Sequence, residues 1–477
     1  MECRNYSRFG SRRDFLARSG YGLGAAALYS LLGGSDAKAA EGHFPNFPPR
    51  AKRVIFLFQA GGPSHLDLLD YKPQMKGRFN EDIPPSIFGT QRVTGMVAQQ
   101  DRFPVVPTAY SFRQYGESGQ WLSELLPYTG KTADEICFLR GMYTEAINHD
   151  PAITFIQTGS QLPGRPSFGS WVDYGLGSEN QNLPAFVVLN SLPSNGMPDQ
   201  GLLSRLWGSG FLPSLYQGVQ FRSAGDAVLH LSNPPGVSPE LRRAQLDSLA
   251  QLNAHTHDRA GDPEIETRIA QYEMAFRMQS SVPDLLNTSS EPEHVHALYG
   301  PDSRKPGTFA ANCLLARRLA ERNVRFIQLY HRGWDHHGGL NEKIPVLARD
   351  TDQPAAGLIQ DLKQRGMLKD TLVIWAGEFG RTPYAQGSPK PNNYGRDHHG
   401  RVFSIWMAGG GVKPGFAYGR SDDYGFNVAE GGVHIHDLQA TVLYLLGIDH
   451  EKLTYEFQGR RFRLTDVAGN VVKQIVA

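Results

Sequence analysis

Cysteine is scarce in this 477-residue chain, which has only three: Cys3, Cys137 and Cys313. Disulfide-dependent scaffolds are far richer in cysteine, so a disulfide framework is excluded. Cys137 lies in the strand-like segment "EICFLRG" and Cys313 in the helical segment "ANCLLARRLAER". We therefore interpret both as buried small hydrophobic residues.

Long apolar runs and an excess of one charge are also lacking. Beyond the N-terminus no stretch approaches the roughly eighteen uninterrupted apolar residues of a transmembrane helix, so none is predicted. The chain has 48 basic and 47 acidic residues and a formal net charge of +1. Nucleic-acid surfaces and membrane-binding patches need an excess of positive charge, so the composition predicts neither.

The N-terminal residues 1–39 have the pattern of a signal peptide. The pair Arg12–Arg13 precedes a weakly apolar, glycine- and alanine-rich segment, and Ala37 and Ala39 form an A-x-A cleavage site. This order is typical of twin-arginine export, so we expect a periplasmic or other extracytoplasmic location. The alternative is an amphipathic N-terminal helix.

Apolar strands alternate with helical segments along the rest of the chain. This alternation predicts an α/β fold with a largely parallel sheet sandwiched by helices. We expect a single domain over residues 40–477, with a helical insertion at about 238–297, where apolar residues recur at spacings of three and four. In such folds, ligands bind beyond the carboxyl ends of the strands.

Histidine and carboxylate residues collect in the loops that follow the predicted strands. Two Asp-His-His stretches, in "HRGWDHHGG" and "GRDHHG", each occur between glycines in a predicted loop. If the sheet is parallel, these loops meet at one edge. The candidate residues in six segments are His65, Asp67 and Asp70; His149 and Asp150; His331, Asp335, His336 and His337; Glu378 and Arg381; Asp397, His398 and His399; and His434, His436 and Asp437.

Such residues are suited to binding metal ions. Imidazole nitrogens and carboxylate oxygens bind zinc, manganese or iron, and carboxylates also bind magnesium or calcium. We therefore predict one or two divalent metal ions, with zinc, manganese, magnesium and calcium all open. The alternative is that these residues make structural hydrogen bonds, with Glu378 capping a helix or pairing with Arg381.

Four longer motifs resemble the DUF1501 family of exported proteins. They are "LLARRLAERNVRFIQLYHRGWDHHGG", "GEFGRTP", "GRDHHGRVFSIWMAGGGVKPG" and "VHIHDLQATVLYLLGIDHEKLTYEFQGRRFRLTD". The resemblance extends over nearly all of the chain from "AKRVIFLFQAGGPSHLD" onward. That family is in turn similar to the alkaline phosphatase/sulfatase superfamily. The resemblance implies an alkaline phosphatase-like fold and metal-dependent hydrolysis of a phosphate or sulfate ester.

The chain departs from the superfamily pattern at positions that carry its chemistry. Gln59–Ala60–Gly61 stand where the superfamily has a metal-binding Asp pair, so His65 and Asp67 would have to substitute. The position of the superfamily's Cys or Ser nucleophile falls on His149, so formylglycine chemistry is not expected. Glu378 corresponds to the carboxylate of an Asp-His metal-binding step.

The residues and the resemblance together assign a role to each candidate. The preferred metal ligands are Asp335, His337, Glu378, Asp397 and His398, and the second choices are His65, Asp67 and His434. His149, with Asp150 beside it, is predicted to be a general acid/base or a covalent nucleophile. Arg381 is predicted to hold the oxyanion of a small-molecule or polysaccharide ester.

Two other functions stay open. One is a non-catalytic metal- or carbohydrate-binding protein on the same fold, which the missing nucleophile and Asp pair favour. The other is a carbohydrate-active enzyme that uses Glu378 and an aspartate as paired carboxylates. Convergence of His149, Asp335, Glu378 and Asp397 at one edge of the sheet favours the hydrolase, and their separation favours the binding protein.

Overall fold

A computed structural model describes most of the chain beyond the predicted signal peptide. The described residues are 44–91, 93–194, 196, 201–222, 228, 233–234, 236–260, 263–391 and 393–477, without the side chains of 257–260, 263–264 and 266. The signal peptide predicted over residues 1–39 lies outside the described residues.

The strands form one large sheet and several two-stranded ribbons. In chain order they are β1 Arg53–Gln59, β2 Phe112–Tyr115, β3 Gln120–Ser123, β4 Ile136–Tyr143, β5 Phe186–Ser191, β6 Val219–Phe221, β7 Phe326–His331, β8 Thr371–Ala376, β9 Gly380–Ala385, β10 Arg396–His399, β11 Phe403–Ala408, β12 Phe416–Tyr418, β13 Arg420–Ser421, β14 Val428–Glu430, β15 Val433–His434, β16 Tyr455–Phe457 and β17 Arg460–Phe462.

The large sheet is mostly parallel, as the sequence predicted. Its nine strands have the order β12-β4-β11-β8-β1-β7-β5-β6, and β15 pairs with β4. The antiparallel pairs are those that β11 makes with β4 and β8, and the other neighbours run parallel. The predicted α/β class is thereby confirmed.

Helices accompany the sheet along the chain. They are α1 His65–Leu68, α2 Pro85–Phe88, α3 Pro127–Lys131, α4 His149–Thr158, α5 Phe168–Leu176, α6 Pro239–Ala260, α7 Pro263–Leu286, α8 Glu293–Tyr299, α9 Phe309–Glu321, α10 Leu340–Gln364 and α11 Ile435–Leu445. Helices α6 to α8 lie in the region for which a helical insertion is predicted. Among the described residues, no helix is long and apolar enough to cross a membrane.

The central strands are buried on both faces. Every residue of β1, β8 and β11 is buried, which explains why these strands appear in the sequence as apolar runs without alternation. Leu314 of α9 and Leu358 of α10 share one hydrophobic cluster with Ile55 of β1. Cys137 and Cys313 are buried free thiols, as predicted. This packing holds the strands rigidly, and with them the segments that follow their carboxyl ends.

Candidate metal centre

The carboxyl ends of β1, β4, β7 and β8 meet at one edge of the sheet. Gln59 of β1 is in register with His331 of β7, and Phe58 of β1 with Ala376 of β8. β4 runs the same way as β8, because both are antiparallel to β11. The segments after β4, β7 and β8 therefore leave the sheet on the same side, where ligands bind in such folds. They carry His149, Asp335, His337 and Glu378.

Four side chains converge at this edge: His149, Asp335, His337 and His398. Their potential ligand atoms all lie within 4.8 Å of one another. His337 Nε2 lies 2.8 Å from Asp335 Oδ1 and 3.0 Å from His398 Nε2. Asp335 Oδ1 is also 3.2 Å from His398 Nε2, and Asp335 Oδ2 is 3.2 Å from His149 Nε2. Three imidazole nitrogens thus surround one carboxylate. Within the described part of the chain, this is the group of side chains that could hold a metal ion.

His398 reaches this group from a strand rather than from a loop. A loop is predicted for "GRDHHG", but Arg396–His399 form β10 and pair antiparallel with β9. The loop prediction was wrong because β10 depends on its pairing with β9, and nothing in "GRDHHG" itself indicates that pairing. Asp397, the neighbouring residue of β10, lies outside the four-residue group. It is fully buried and accepts a hydrogen bond from Thr94 Oγ1 at 2.5 Å.

An oxygen atom holds the second ring nitrogen of each of the three histidines. The contacts from Nδ1 are His149 to Glu378 Oε1 at 2.6 Å, His337 to Gln386 Oε1 at 2.5 Å and His398 to the Ile147 carbonyl at 2.9 Å. A carbonyl or ionised carboxylate only accepts hydrogen bonds, so Nδ1 carries the proton and Nε2 of a neutral ring presents a lone pair. Metal-binding histidines have this arrangement.

The electrostatics of the group centre on Asp335. Burial raises the pKa of Asp335, but its close contacts with the three histidines and the charge of Arg381 together outweigh burial and hold the pKa well below the usual range. Burial lowers the pKa of His398 to about 4. Burial also lowers the pKa of His149, but its bonds to Asp335 and Glu378 prevail and leave it raised. Asp335 is therefore an anion that attracts positive charge to the centre of the group.

Glu378 lies behind the ring of His149, outside the four-residue group. Its side chain is fully buried. The backbone N–H of Gly61 donates to both carboxylate oxygens, at 2.9 Å and 3.2 Å. Glu378 therefore contacts a candidate ligand rather than the centre that the ligands surround.

Arg381 is buried and its guanidinium is directed at protein acceptors. It donates to the carbonyls of Gly62 at 2.8 Å and Arg396 at 3.1 Å, and to the carbonyl of Gly61. It also donates to Asp335 Oδ1 at 2.6 Å. These bonds tie the segment after β1 to the candidate site, and they occupy the groups that were predicted to bind an oxyanion.

His65 and Asp67 are buried near the site but are engaged elsewhere. Asp67 Oδ2 accepts from Arg396 Nε at 2.8 Å and from Ser64 Oγ at 2.5 Å. Burial raises the pKa of Asp67, but the charge of Arg396 and the hydrogen bonds from Arg396, Ser64 and Thr108 together outweigh burial and leave the pKa lowered. His65 Nε2 lies 3.0 Å from the carbonyl of Gly425. Neither residue belongs to the four-residue group.

His434 and Asp150 also lie outside the group. His434 is the N-cap of α11, and its Nε2 is 3.0 Å from Glu145 Oε2. Asp150, in the first turn of α4, forms an exposed ion pair with Arg205.

Two residues that support the site from behind were not predicted from the sequence. The Ile147 carbonyl accepts from His398 Nδ1, and Gln386 Oε1 accepts from His337 Nδ1. Neither residue carries a local signal, because these contacts join segments far apart in the sequence. Thr94 and Arg396, which bond to Asp397 and Asp67, were likewise not predicted.

A separate cavity of about 820 Å³ is lined by Tyr128, Phe309, Asp350 and Asp352, among others. Its lining contains none of the four residues of the group. The candidate metal centre is thus distinct from this cavity.

Buried histidines predict that the protein is sensitive to acid. Burial lowers the pKa of both His336 and His399 to about 3. In the unfolded chain these histidines take up protons below about pH 6.5, whereas in the folded protein they stay neutral until about pH 3. The free energy of unfolding therefore falls with decreasing pH. From about pH 7.5 to about pH 5 we expect the two to account for a loss of about 4 kcal/mol.

Urea unfolding of metal-free protein at the two pH values measures this loss. The variant His399→Gln removes one of the two titrating groups. The loss of unfolding free energy that the buried histidines cause should therefore be about half as large in the variant as in the wild type. An identical pH dependence of the variant and the wild type would contradict the prediction.

Comparison with known proteins agrees with the sequence motifs. The family described as "Protein of unknown function (DUF1501)" matches residues 51–476. No curated protein sequence matches the chain. Among solved structures, the PsFucS1 sulfatase from Pseudoalteromonas sp. is similar with 12% identity and a TM-score of 0.34, over 93% of this chain and 73% of that one.

Two other solved structures have comparable scores. Alkaline phosphatase from the Antarctic bacterium TAB5 has 11% identity and a TM-score of 0.34, over 83% of this chain and 98% of that one. The phosphonate monoester hydrolase SpPMH from Silicibacter pomeroyi has 11% identity and a TM-score of 0.31, over 83% and 73%. The family match covers far more than half of the sequence, and the chain therefore belongs to the DUF1501 family.

Proposed function

We propose that this protein binds one divalent metal ion through His149, Asp335, His337 and His398, and that it uses the ion to hydrolyse a phosphate or sulfate ester. One observation carries the proposal: three Nε2 atoms face a single carboxylate, and an oxygen holds each opposite Nδ1. A nitrogen lone pair and a carboxylate repel each other unless a proton or a metal cation lies between them, so three Nε2 atoms around one carboxylate fit a metal ion.

The donor types and their spacing favour zinc or manganese. Calcium and magnesium prefer oxygen ligands, whereas three nitrogens and one oxygen suit zinc and related ions. Tetrahedral bonds of about 2.0–2.1 Å separate neighbouring ligand atoms by roughly 3.3 Å. The contacts of 2.8 Å, 3.0 Å and 3.2 Å around His337 and His398 are close to this value.

Access from solvent supports a catalytic role. The side chains of His149, Asp335 and His337 are 16%, 23% and 25% exposed, so one side of the site is open to a small molecule or the end of a polysaccharide. A bound ion of this kind polarises a phosphoryl or sulfuryl oxygen and activates water. His149 acts as a ligand in this proposal, because Glu378 holds its Nδ1 and its Nε2 faces Asp335 at the centre of the group. Arg381 positions Asp335 instead of binding the ester.

A non-catalytic metal- or carbohydrate-binding protein is the second candidate. Four protein ligands already complete a tetrahedral zinc site, as in structural sites, whereas catalytic zinc sites have three protein ligands and an open position. Removing the metal distinguishes the two candidates, because only the enzyme loses a reaction.

Metal analysis of the natively produced protein tests the proposal. We expect one equivalent of zinc or manganese by plasma mass spectrometry. EDTA should abolish hydrolysis of the phosphate or sulfate ester found in a substrate screen, and one equivalent of the same metal should restore it. Bound metal with no hydrolysis of any ester would favour the binding protein. Absence of metal, with no uptake of added zinc or manganese, would overturn the metal-dependent enzyme and leave only a carbohydrate-binding protein.

Export through the twin-arginine route is part of the proposal, and the Arg12–Arg13 pair supports it. Replacing both arginines with lysine should retain the protein in the cytoplasm. Unchanged export of this variant would contradict the route.

A further inference from the structure

We infer that Glu378 is a positioning residue that orients His149 and strengthens it as a metal ligand. The inference rests on the proposed function and assigns a residue outside the four ligands to the same site. The sequence predicts Glu378 to be a metal ligand, whereas in the structure it lies behind the ligand His149.

The geometry of Glu378 is fixed from two sides. Its Oε1 lies 2.6 Å from His149 Nδ1. The backbone N–H of Gly61, in the segment after β1, donates to Oε1 at 2.9 Å and to Oε2 at 3.2 Å. Glu378 lies two residues after β8, and Gly61 lies two residues after β1, so two neighbouring strands of the central sheet set the position of its carboxylate.

This contact determines how His149 presents its ring. With Nδ1–H donated to the carboxylate, Nε2 has no proton in the neutral ring and faces Asp335 Oδ2 at 3.2 Å. A carboxylate behind a ligating histidine fixes the tautomer and the ring orientation, and it makes the opposite nitrogen a better donor. The equivalent contacts of His337 and His398 are to a neutral amide and a neutral carbonyl. Of the three, only Glu378 adds charge.

The burial of Glu378 points in the same direction. Its side chain is fully buried, and among the described residues it forms an ion pair with His149. A buried carboxylate is costly unless positive charge lies close by. His149 lies between this carboxylate and the centre of the four-residue group. A metal ion bound at that centre would supply the positive charge.

The test compares zinc affinity of the metal-free full-length protein and of Glu378→Gln, by isothermal titration calorimetry. Glutamine retains the shape and an acceptor oxygen but removes the charge. We expect one site in both proteins and an affinity about 10–100-fold lower in the variant. Glu145→Gln is the matched control, since Glu145 contacts His434 at 3.0 Å outside the site. Its affinity should equal that of the wild type.

The outcomes separate this inference from the proposed function. If the wild type binds no zinc, the proposed function fails. If the wild type binds zinc and Glu378→Gln binds it equally well, only the positioning role is overturned. Complete loss of the site in a folded variant would make Glu378 a ligand and would also overturn the inference.

Nuclear magnetic resonance of the wild type provides a measurement that does not depend on the variant folding. Two-bond ¹⁵N–¹H correlation spectra of the zinc-loaded protein report which ring nitrogen of His149 carries the proton. The inference requires the proton on Nδ1. A proton on Nε2 would overturn it.

Discussion

Replacing His398 with alanine is expected to weaken zinc binding more than about 100-fold, which exceeds the loss caused by removing a residue that merely supports a ligand. The adjacent variant Asp397→Asn is expected to bind zinc nearly as well as the wild type. The reason is the different surroundings of the two side chains. His398 Nε2 lies 3.2 Å from Asp335 Oδ1, whereas Asp397 lies outside the four-residue group and accepts from Thr94 Oγ1.

Titration calorimetry with metal-free protein measures both affinities, and circular dichroism confirms that each variant is folded. The pair is a matched control, because both residues are buried, adjacent and equally predicted as ligands from the sequence. Loss of zinc from Asp397→Asn with normal binding by His398→Ala would invert the assignment. Zinc binding as tight as that of the wild type in both variants would show that β10 contributes no ligand.

Replacing Asp67 with alanine is expected to lower the free energy of unfolding by about 3–5 kcal/mol, because it leaves a buried charge without its partner. The side chains of Asp67 and Arg396 are both fully buried, and they meet at 2.8 Å. Arg396 also donates to the carbonyl of Thr382 at 3.1 Å, which does not neutralise its charge. Urea unfolding of wild type and variant measures the difference.

The double variant Asp67→Leu/Arg396→Met is the control for this prediction. It removes both charges, so it should be less destabilised than Asp67→Ala, since buried ion pairs can often be exchanged for apolar residues. Zinc bound per folded molecule should not change in Asp67→Ala. A variant of normal stability that loses its zinc would show that Asp67 is a ligand, as the sequence predicted.

The general architecture could be predicted from local sequence. Apolar runs such as Val54–Phe58 and Leu372–Trp375 correspond to buried parallel strands, and the polar residues after them lie at the carboxyl edge of the sheet. These features follow from composition over a few residues, because a strand covered on both faces must be apolar throughout. The alternation of strands with helices then predicted a parallel sheet.

The membership of the site could be predicted only in part. Asp335, His337 and His398, three of the predicted ligands, lie together with His149, which was predicted to be catalytic. The segment "GRTPYA" contains glycine and proline, which are depleted in strands. It therefore does not predict the strand that pairs with β10. Without that pairing, the sequence cannot separate His398 from Asp397.

The sequence by itself determined the α/β class, the family and the loops in which histidines and carboxylates collect, because each depends on local composition or motif. Only the tertiary structure decided which of these side chains share a centre and which lie behind it. Glu378 supports His149, and Asp67 pairs with Arg396, because strand register and side-chain direction bring together residues that are hundreds of positions apart. Those contacts depend on the packing of the whole sheet, and no short stretch of sequence encodes them.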